Sequence, residues 1–148
     1  MATTFPNRST DVLVPEDVRH FLFDRTVQDN DLDLDLAFSD DEIARAMGHA
    51  AATYNDTQPR IARADVSPDR LPNGSLFRYG AAYHLYLSKL QQLMRNDFDY
   101  QAGNVTVELN KRRIEHLKQL VKSFGDEFKT LAREHKVLIN LEQVYRAF

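Results

Sequence analysis

Residues 114–138 read IEHLKQLVKSFGDEFKTLAREHKVL. Within this stretch Ile114, Leu117, Val121, Phe124, Phe128, Leu131, His135 and Leu138 recur at alternating intervals of three and four. On an α-helix that alternation keeps every one of them on a single seam. One long helix is therefore predicted here, ending near Asn140. Two partners can cover such a seam: another helix of the same chain, or a helix from another copy.

The same chain offers a partner at 75–96. Leu76, Tyr79, Tyr83, Leu87, Leu90 and Met94 form one stripe there, widened by Phe77, Leu85, Tyr86 and Leu93. A helix apolar on most sides belongs at the centre of its domain or under a partner. Between the two helices, residues 98–108 alternate. Phe98 and Tyr100 fall on one side of Gly103-Asn104, and Val105 and Val107 on the other. That spacing predicts a small β-hairpin. So short a link makes the flanking helices antiparallel neighbours, meeting across Leu117, Val121, Phe124 and Phe128.

Further upstream, Ser39-Asp40-Asp41-Glu42 has the form of a capping box and opens a helix reaching Asn55. Its inward face is Ile43, Met47, Ala50 and Tyr54, and its alanines permit close approach. Pro15, Glu16 and Asp17 open a short helix over 15–23, with Val18, Phe21 and Leu22 inward. In 31–38, Leu32, Leu34 and Leu36 alternate with Asp31, Asp33 and Asp35, the period of an extended segment. Pro59, Pro68, Pro72 and Asn73-Gly74 make 55–74 a long loop, and loops of that length are usually functional or mobile. The expected fold is mainly α. It is a helical bundle with a long antiparallel pair joined by the hairpin, an N-terminal arm at 1–14, one domain over 15–140 and a tail at 141–148.

Composition narrows the chemistry. The 148 residues hold no cysteine, which removes disulfides, thiolate metal sites and thiol catalysis. No apolar run approaches the ~20 residues that a bilayer requires. Residues 1–74 carry 7 Lys/Arg against 14 Asp/Glu, and residues 75–148 carry 12 against 8. Opposite-signed halves suit contact between copies, or neutralise each other within one molecule.

Catalytic patterns do not emerge. Asp31, Asp33, Asp35, Ser39 and Glu42 sit at calcium-loop positions, but Leu36 occupies the place where such a loop turns on glycine. His20, His49, His84, His116 and His135 include no pair at i, i+4 and no HExxH pattern. His135 lies on the apolar seam, where a hydrogen-bonded core histidine is the commoner role. No phosphate-cradling glycine loop or nucleophile elbow occurs. No cofactor is called for. Lys111, Arg112 and Arg113, with Lys118 and Lys122 beyond, place cations at the start of the last helix, where they oppose its dipole and call for an offsetting partner. A solvated face or an acidic protein suits them better than DNA, given a sequence pI of about 5.9.

Two stretches resemble the small proteins that sit between portal and tail in tailed bacteriophages: head–tail connector, adaptor or neck proteins. One is Phe38-Ser39-Asp40-Asp41-Glu42-Ile43 through Tyr54-Asn55, with Pro59 shortly after. The other is Phe77 to Asn140, passing through Arg95-Asn96-Asp97-Phe98-Asp99-Tyr100 and Gly103-Asn104-Val105 to Lys136-Val137-Leu138-Ile139-Asn140. Together they cover roughly two-thirds of the chain. The resemblance implies a mostly helical, non-enzymatic virion protein. It would form a ring, taken as a dodecamer, against portal protein and tail or neck proteins. It has no membrane role and meets DNA at most through the channel lining. The acidic 29–35 segment departs from that pattern. Candidate interface residues are Phe5, Val12 and Leu13 in the arm, Arg60 and Arg63 in the loop, Lys111, Arg112 and Arg113, and Leu141, Val144, Tyr145 and Phe148 in the tail. The alternative is a small intracellular adaptor or regulatory protein that acts as a helical dimer through the seam.

Overall fold

The computed structural model describes residues 12–22, 24, 38–61, 64–97 and 104–147, with backbone alone at 96, 97 and 104–110. The described chain is mainly helical: α1 (Pro15–Leu22), α2 (Asp40–Asp56), a 3₁₀ turn (Pro68–Arg70), α3 (Ser75–Asp97) and α4 (Asn104–Ala147).

Local chemistry explains where these helices begin. The Val14 N–H donates to Asp17 Oδ2 at 3.1 Å, so an acid of the first turn serves an orphan amide at the mouth of α1. At α2 the capping box is closed in both directions. The Glu42 N–H donates to Ser39 Oγ at 3.2 Å, and the Ser39 N–H donates to Glu42 Oε2 at 2.8 Å. Those two residues of the calcium-loop pattern are thus occupied as a helix cap. The alternating 31–37 stretch lies outside the described residues.

The core forms where α2, α3 and α4 meet. Ile43, Ala46, Met47, Ala50, Ala51 and Tyr54 are buried along α2. Gly80 of α3 marks the tightest approach. A Cβ there would lie 2.9 Å from Ala50 Cβ and 2.8 Å from Phe128 Cε2. The absent side chain is what lets three helices touch at this level. Phe128 and Ala132 of α4 are fully buried against this node. Further along, Leu90 of α3 clusters with Ile114 and Leu117 of α4. Between the two clusters the Tyr86 and Phe124 rings stack, with centroids 5.6 Å apart and 2° between planes.

Two expectations change. The predicted hairpin at 98–108 does not form as read. Residues 98–103 lie outside the described chain, while Val105 and Val107 belong to α4, which starts at Asn104. Continuing a helix adds one backbone hydrogen bond per residue, whereas a two-stranded hairpin with little behind it is marginal. No strand occurs among the described residues, and the one isolated bridge pairs Val12 with Pro72.

The tail at 141–148 is not a separate segment either. Leu141, Val144 and Tyr145 lie on the last turns of α4, because no proline or glycine stops the helix at Asn140. Phe148 lies outside the described residues. Finally, the 55–74 loop is knitted to the body by its own contacts. Asn55 brackets Val66, donating from Nδ2 to the Val66 carbonyl at 3.0 Å and accepting the Val66 N–H at 2.9 Å. Leu71 is fully buried, and its carbonyl accepts the Leu13 N–H at 2.7 Å. Arg78 donates twice to Asn73 Oδ1, at 3.0 and 2.6 Å.

Candidate interaction surfaces

The 44 residues of α4 span about 66 Å, at 1.5 Å per residue. Toward its C-terminal end α4 is clasped to the end of α2. Lys136 is fully buried and donates from Nζ to the carbonyls of Asn55 at 3.0 Å and Thr57 at 2.7 Å. These are orphan acceptors at the C-terminus of α2, where the dipole favours a cation. The ammonium also lies 4.9 Å from the Tyr54 ring centroid. Burial pulls the Lys136 pKa below the ordinary lysine range, and the nearby Asp65 and Asp56 oppose that pull. Next to it, His135 Nδ1 shares a 2.7 Å hydrogen bond with Tyr54 Oη. His135 is therefore hydrogen-bonded but exposed, rather than the core histidine expected from the seam.

Beyond the clasp the apolar side of α4 is uncovered. Val137 and Leu138 are exposed, as are Leu141, Val144 and Tyr145, the last at 79%. At about 100° per residue, Leu141 lies roughly 180° round the helix from Ala132 and 140° from Lys136. The stripe thus points away from the side by which α4 grips the body. Upstream on the same face stand Ser123, Glu127, Thr130 and Glu134, all polar and exposed, so the stripe starts abruptly at Val137.

The other candidates separate. Leu13 is buried and hydrogen-bonded to Leu71, so it is a core residue and not a docking residue. Its alternation with exposed Val12 and Val14 places one side chain in and two out. Arg60 is exposed and pairs with Asp56 at 3.2 Å. Phe5 and Arg63 lie outside the described residues. Lys111, Arg112 and Arg113 are exposed. They stand two turns inside α4 rather than at its start, so the dipole no longer opposes them. Lys118 pairs with Glu115 at 3.4 Å.

Two polar features had no sequence signal. Arg19, in a helix read for its apolar face, is buried. It donates to Asp24 Oδ2 at 3.1 Å and to Asp40 Oδ1 at 3.1 and 2.7 Å. Asp24 also accepts the Phe38 N–H at 3.2 Å, so the two flanks of the acidic 29–35 segment are joined. The second feature is a groove between α2 and α3, lined by Glu42, Arg45, His49, His84, Lys89 and Gln92 among others. The His49 and His84 rings lie 5.6 Å apart, and Thr53 Oγ1 is 3.1 Å from His84 Nε2. Burial, and then the neighbouring His49, lower the His84 pKa to about 4. No group of three potential metal ligands occurs among the described residues. No described helix is long and apolar enough to cross a membrane. Comparison with protein-family models, curated proteins and solved structures finds no match in any of the three.

Proposed function

We propose that the chain is a non-enzymatic structural protein of a tailed-bacteriophage particle, assembled in the host cytoplasm as a ring between portal and tail. The observation that carries this reading is the end of α4, which runs past the clasp and turns an apolar face outward. Exposed aromatic and aliphatic side chains grouped on one face are the usual anchors of a protein interface. A helix presenting them at i, i+4 and i+7 suits a groove on a portal or neck protein.

A finer reading of the fold belongs to the same proposal: α3 and α4 form a long antiparallel pair that stiffens the ring subunit. Its support is the order of contacts. Gly80 meets Phe128, Tyr83 meets Gly125, and Leu90 meets Leu117 and Ile114, so positions rise along one helix as they fall along the other.

Quantitative mass spectrometry of purified particles tests the role. The chain should appear in a fixed ratio to portal protein. A particle fraction free of the chain would remove the connector reading. One observation favours the second reading, a small adaptor that pairs with itself: the stripe is free of charge and can face a copy of itself. Native mass measurement at low concentration separates the two, because an adaptor dimer persists on dilution.

A further inference from the structure

We propose that His49 of α2 and His84 of α3 together bind a divalent metal ion of the zinc class in the groove between the two helices. The site does not depend on what larger assembly the chain serves.

Three observations lead there. First, Thr53 fixes the tautomer of His84. Thr53 and His49 stand one turn apart on α2, and Thr53 Oγ1 donates its single proton to the His49 carbonyl at 2.9 Å. Toward His84 the hydroxyl oxygen is then an acceptor, so His84 Nε2, 3.1 Å away, carries the ring proton. The lone pair of the neutral imidazole therefore lies on Nδ1. One ring nitrogen held through its N–H by a neighbouring oxygen, with the other left basic, is how proteins orient histidines toward metals.

Second, the basic nitrogen is open. His84 Nδ1 makes no hydrogen bond among the described residues, where no buried side-chain nitrogen or oxygen lacks a partner, so it reaches solvent. The His49 ring is exposed and likewise has no hydrogen bond among the described residues.

Third, the separation is close to that of two ligands on one ion. A tetrahedral metal about 2.0–2.1 Å from one nitrogen of each ring sets the ring centroids about 5.2 Å apart. The His49 and His84 centroids are 5.6 Å apart. A small turn of the exposed His49 side chain closes the difference.

The donor set selects the ion. Imidazole nitrogens suit Zn2+, Ni2+ and Cu2+, whereas Mg2+ and Ca2+ are held by oxygen. Water fills the remaining positions, as at an open zinc site. Arg45 and Lys89 line the same groove and oppose a cation, and Glu42 offsets one of them. The site is therefore weaker than a closed structural one. Its two ligands come from different helices, so spacing within one helix does not show it.

Titration of the full-length chain with ZnCl2 at neutral pH, read by nitrogen-15 NMR of the histidine rings, tests the site. One equivalent should shift His84 Nδ1 and one nitrogen of His49, while His84 Nε2 keeps its proton. MgCl2 should shift neither ring. By calorimetry, His49→Gln and His84→Gln, each with unchanged helix content, should abolish binding of that equivalent. Thr53→Val should weaken it about 10-fold, because the His84 tautomer is no longer held. Rings that Zn2+ leaves unmoved, or an equal response to MgCl2, would overturn the site. So would full affinity in either Gln variant, which would place the ion on other histidines. Coordination through His84 Nε2, or unchanged affinity in Thr53→Val, would overturn the arrangement derived from Thr53. The ring shifts are read on the wild-type chain, so they decide the matter even where a variant loses helix content. Absence of the chain from phage particles would leave the titration unaffected, so the two proposals fail separately.

Discussion

Between Ile114 and Lys136, α4 lays its buried residues against α3 and α2. From Val137 to Tyr145 the same helix carries an apolar face with no cover among the described residues. The backbone is continuous across the boundary, and the heptad seam continues as far as Leu138. What changes at the boundary is the face as well as the neighbour: the apolar side chains beyond Lys136 lie on the opposite side of the helix from Ala132. α2 ends at Asp56, and Lys136 closes over its last carbonyls. An apolar period therefore reports that a helix face wants cover. It does not report where the cover comes from.

Breaking the packed half should have the largest effect. Phe128 is fully buried and touches the α2–α3 node at Gly80. Phe128→Ala should cost about 3–5 kcal/mol, for the lost transfer energy and the cavity left among three helices. Urea unfolding measures it, and a loss below about 1 kcal/mol would mean that the node is not the core. Filling the same node is the complementary test. Gly80→Ala places a Cβ at 2.8–2.9 Å from Phe128 and Ala50, neither of which has room to retreat, and should cost about 1–3 kcal/mol. Gly48→Ala on the outer side of α2 meets no atom within 4 Å. It should raise stability by up to about 1 kcal/mol, through helix propensity alone.

Much of this architecture was legible in the sequence. Ser39 and Glu42 announced the start of α2, since a hydroxyl and a carboxylate three residues apart can serve each other's amides. Residues 98–108 and 141–148 were misread for a related reason. Gly103-Asn104 and the valines after it satisfy a hairpin pattern locally, but Asn104 instead begins a helix that carries them. Prolines mark 55–74 as a long loop, while its contacts with the body come from single side chains, Asn55, Asn73 and Leu71, that no period reveals. Arg19 and Lys136 were invisible for the same reason. A buried cation depends on acceptors brought from distant residues, and a one-dimensional pattern does not hold them.

The α2–α3 groove offers a milder perturbation through pH. His84 has its pKa lowered to about 4 by burial and by His49, against 6.5 for an ordinary histidine. The unfolded chain therefore binds this proton more readily than the folded one. The contribution is fully present above pH 6.5 and is lost progressively as pH falls toward 4. Glu42, Arg45 and His49 of α2 and Lys89 of α3 line the same groove. Because the ring is only half-buried, solvent screening reduces the effect to about 1 kcal/mol. His84→Gln should flatten the melting temperature between pH 6.5 and 4 relative to wild type, and an unchanged slope would assign the acid sensitivity to other groups.

The smallest effect should come from the position that the heptad ranks with the largest. Leu117 and Leu138 occupy the same seam register, three heptads apart on one helix. Leu117 is 9% exposed and packs with Leu90 and Ile114, whereas Leu138 is 59% exposed. Leu117→Ala removes buried methyl groups from a cluster that cannot fully collapse, and should cost about 2–3 kcal/mol. Leu138→Ala removes groups that water already reaches. Alanine is at least as good a helix former as leucine, so propensity adds no penalty. The change should fall within about 0.5 kcal/mol of zero for the isolated chain at low concentration. Two denaturation curves in dilute solution make the comparison. Equal losses at the two sites would mean that the end of α4 folds onto its own body after all. A loss at Leu138 that grows with protein concentration would mean instead that the missing cover is a second molecule.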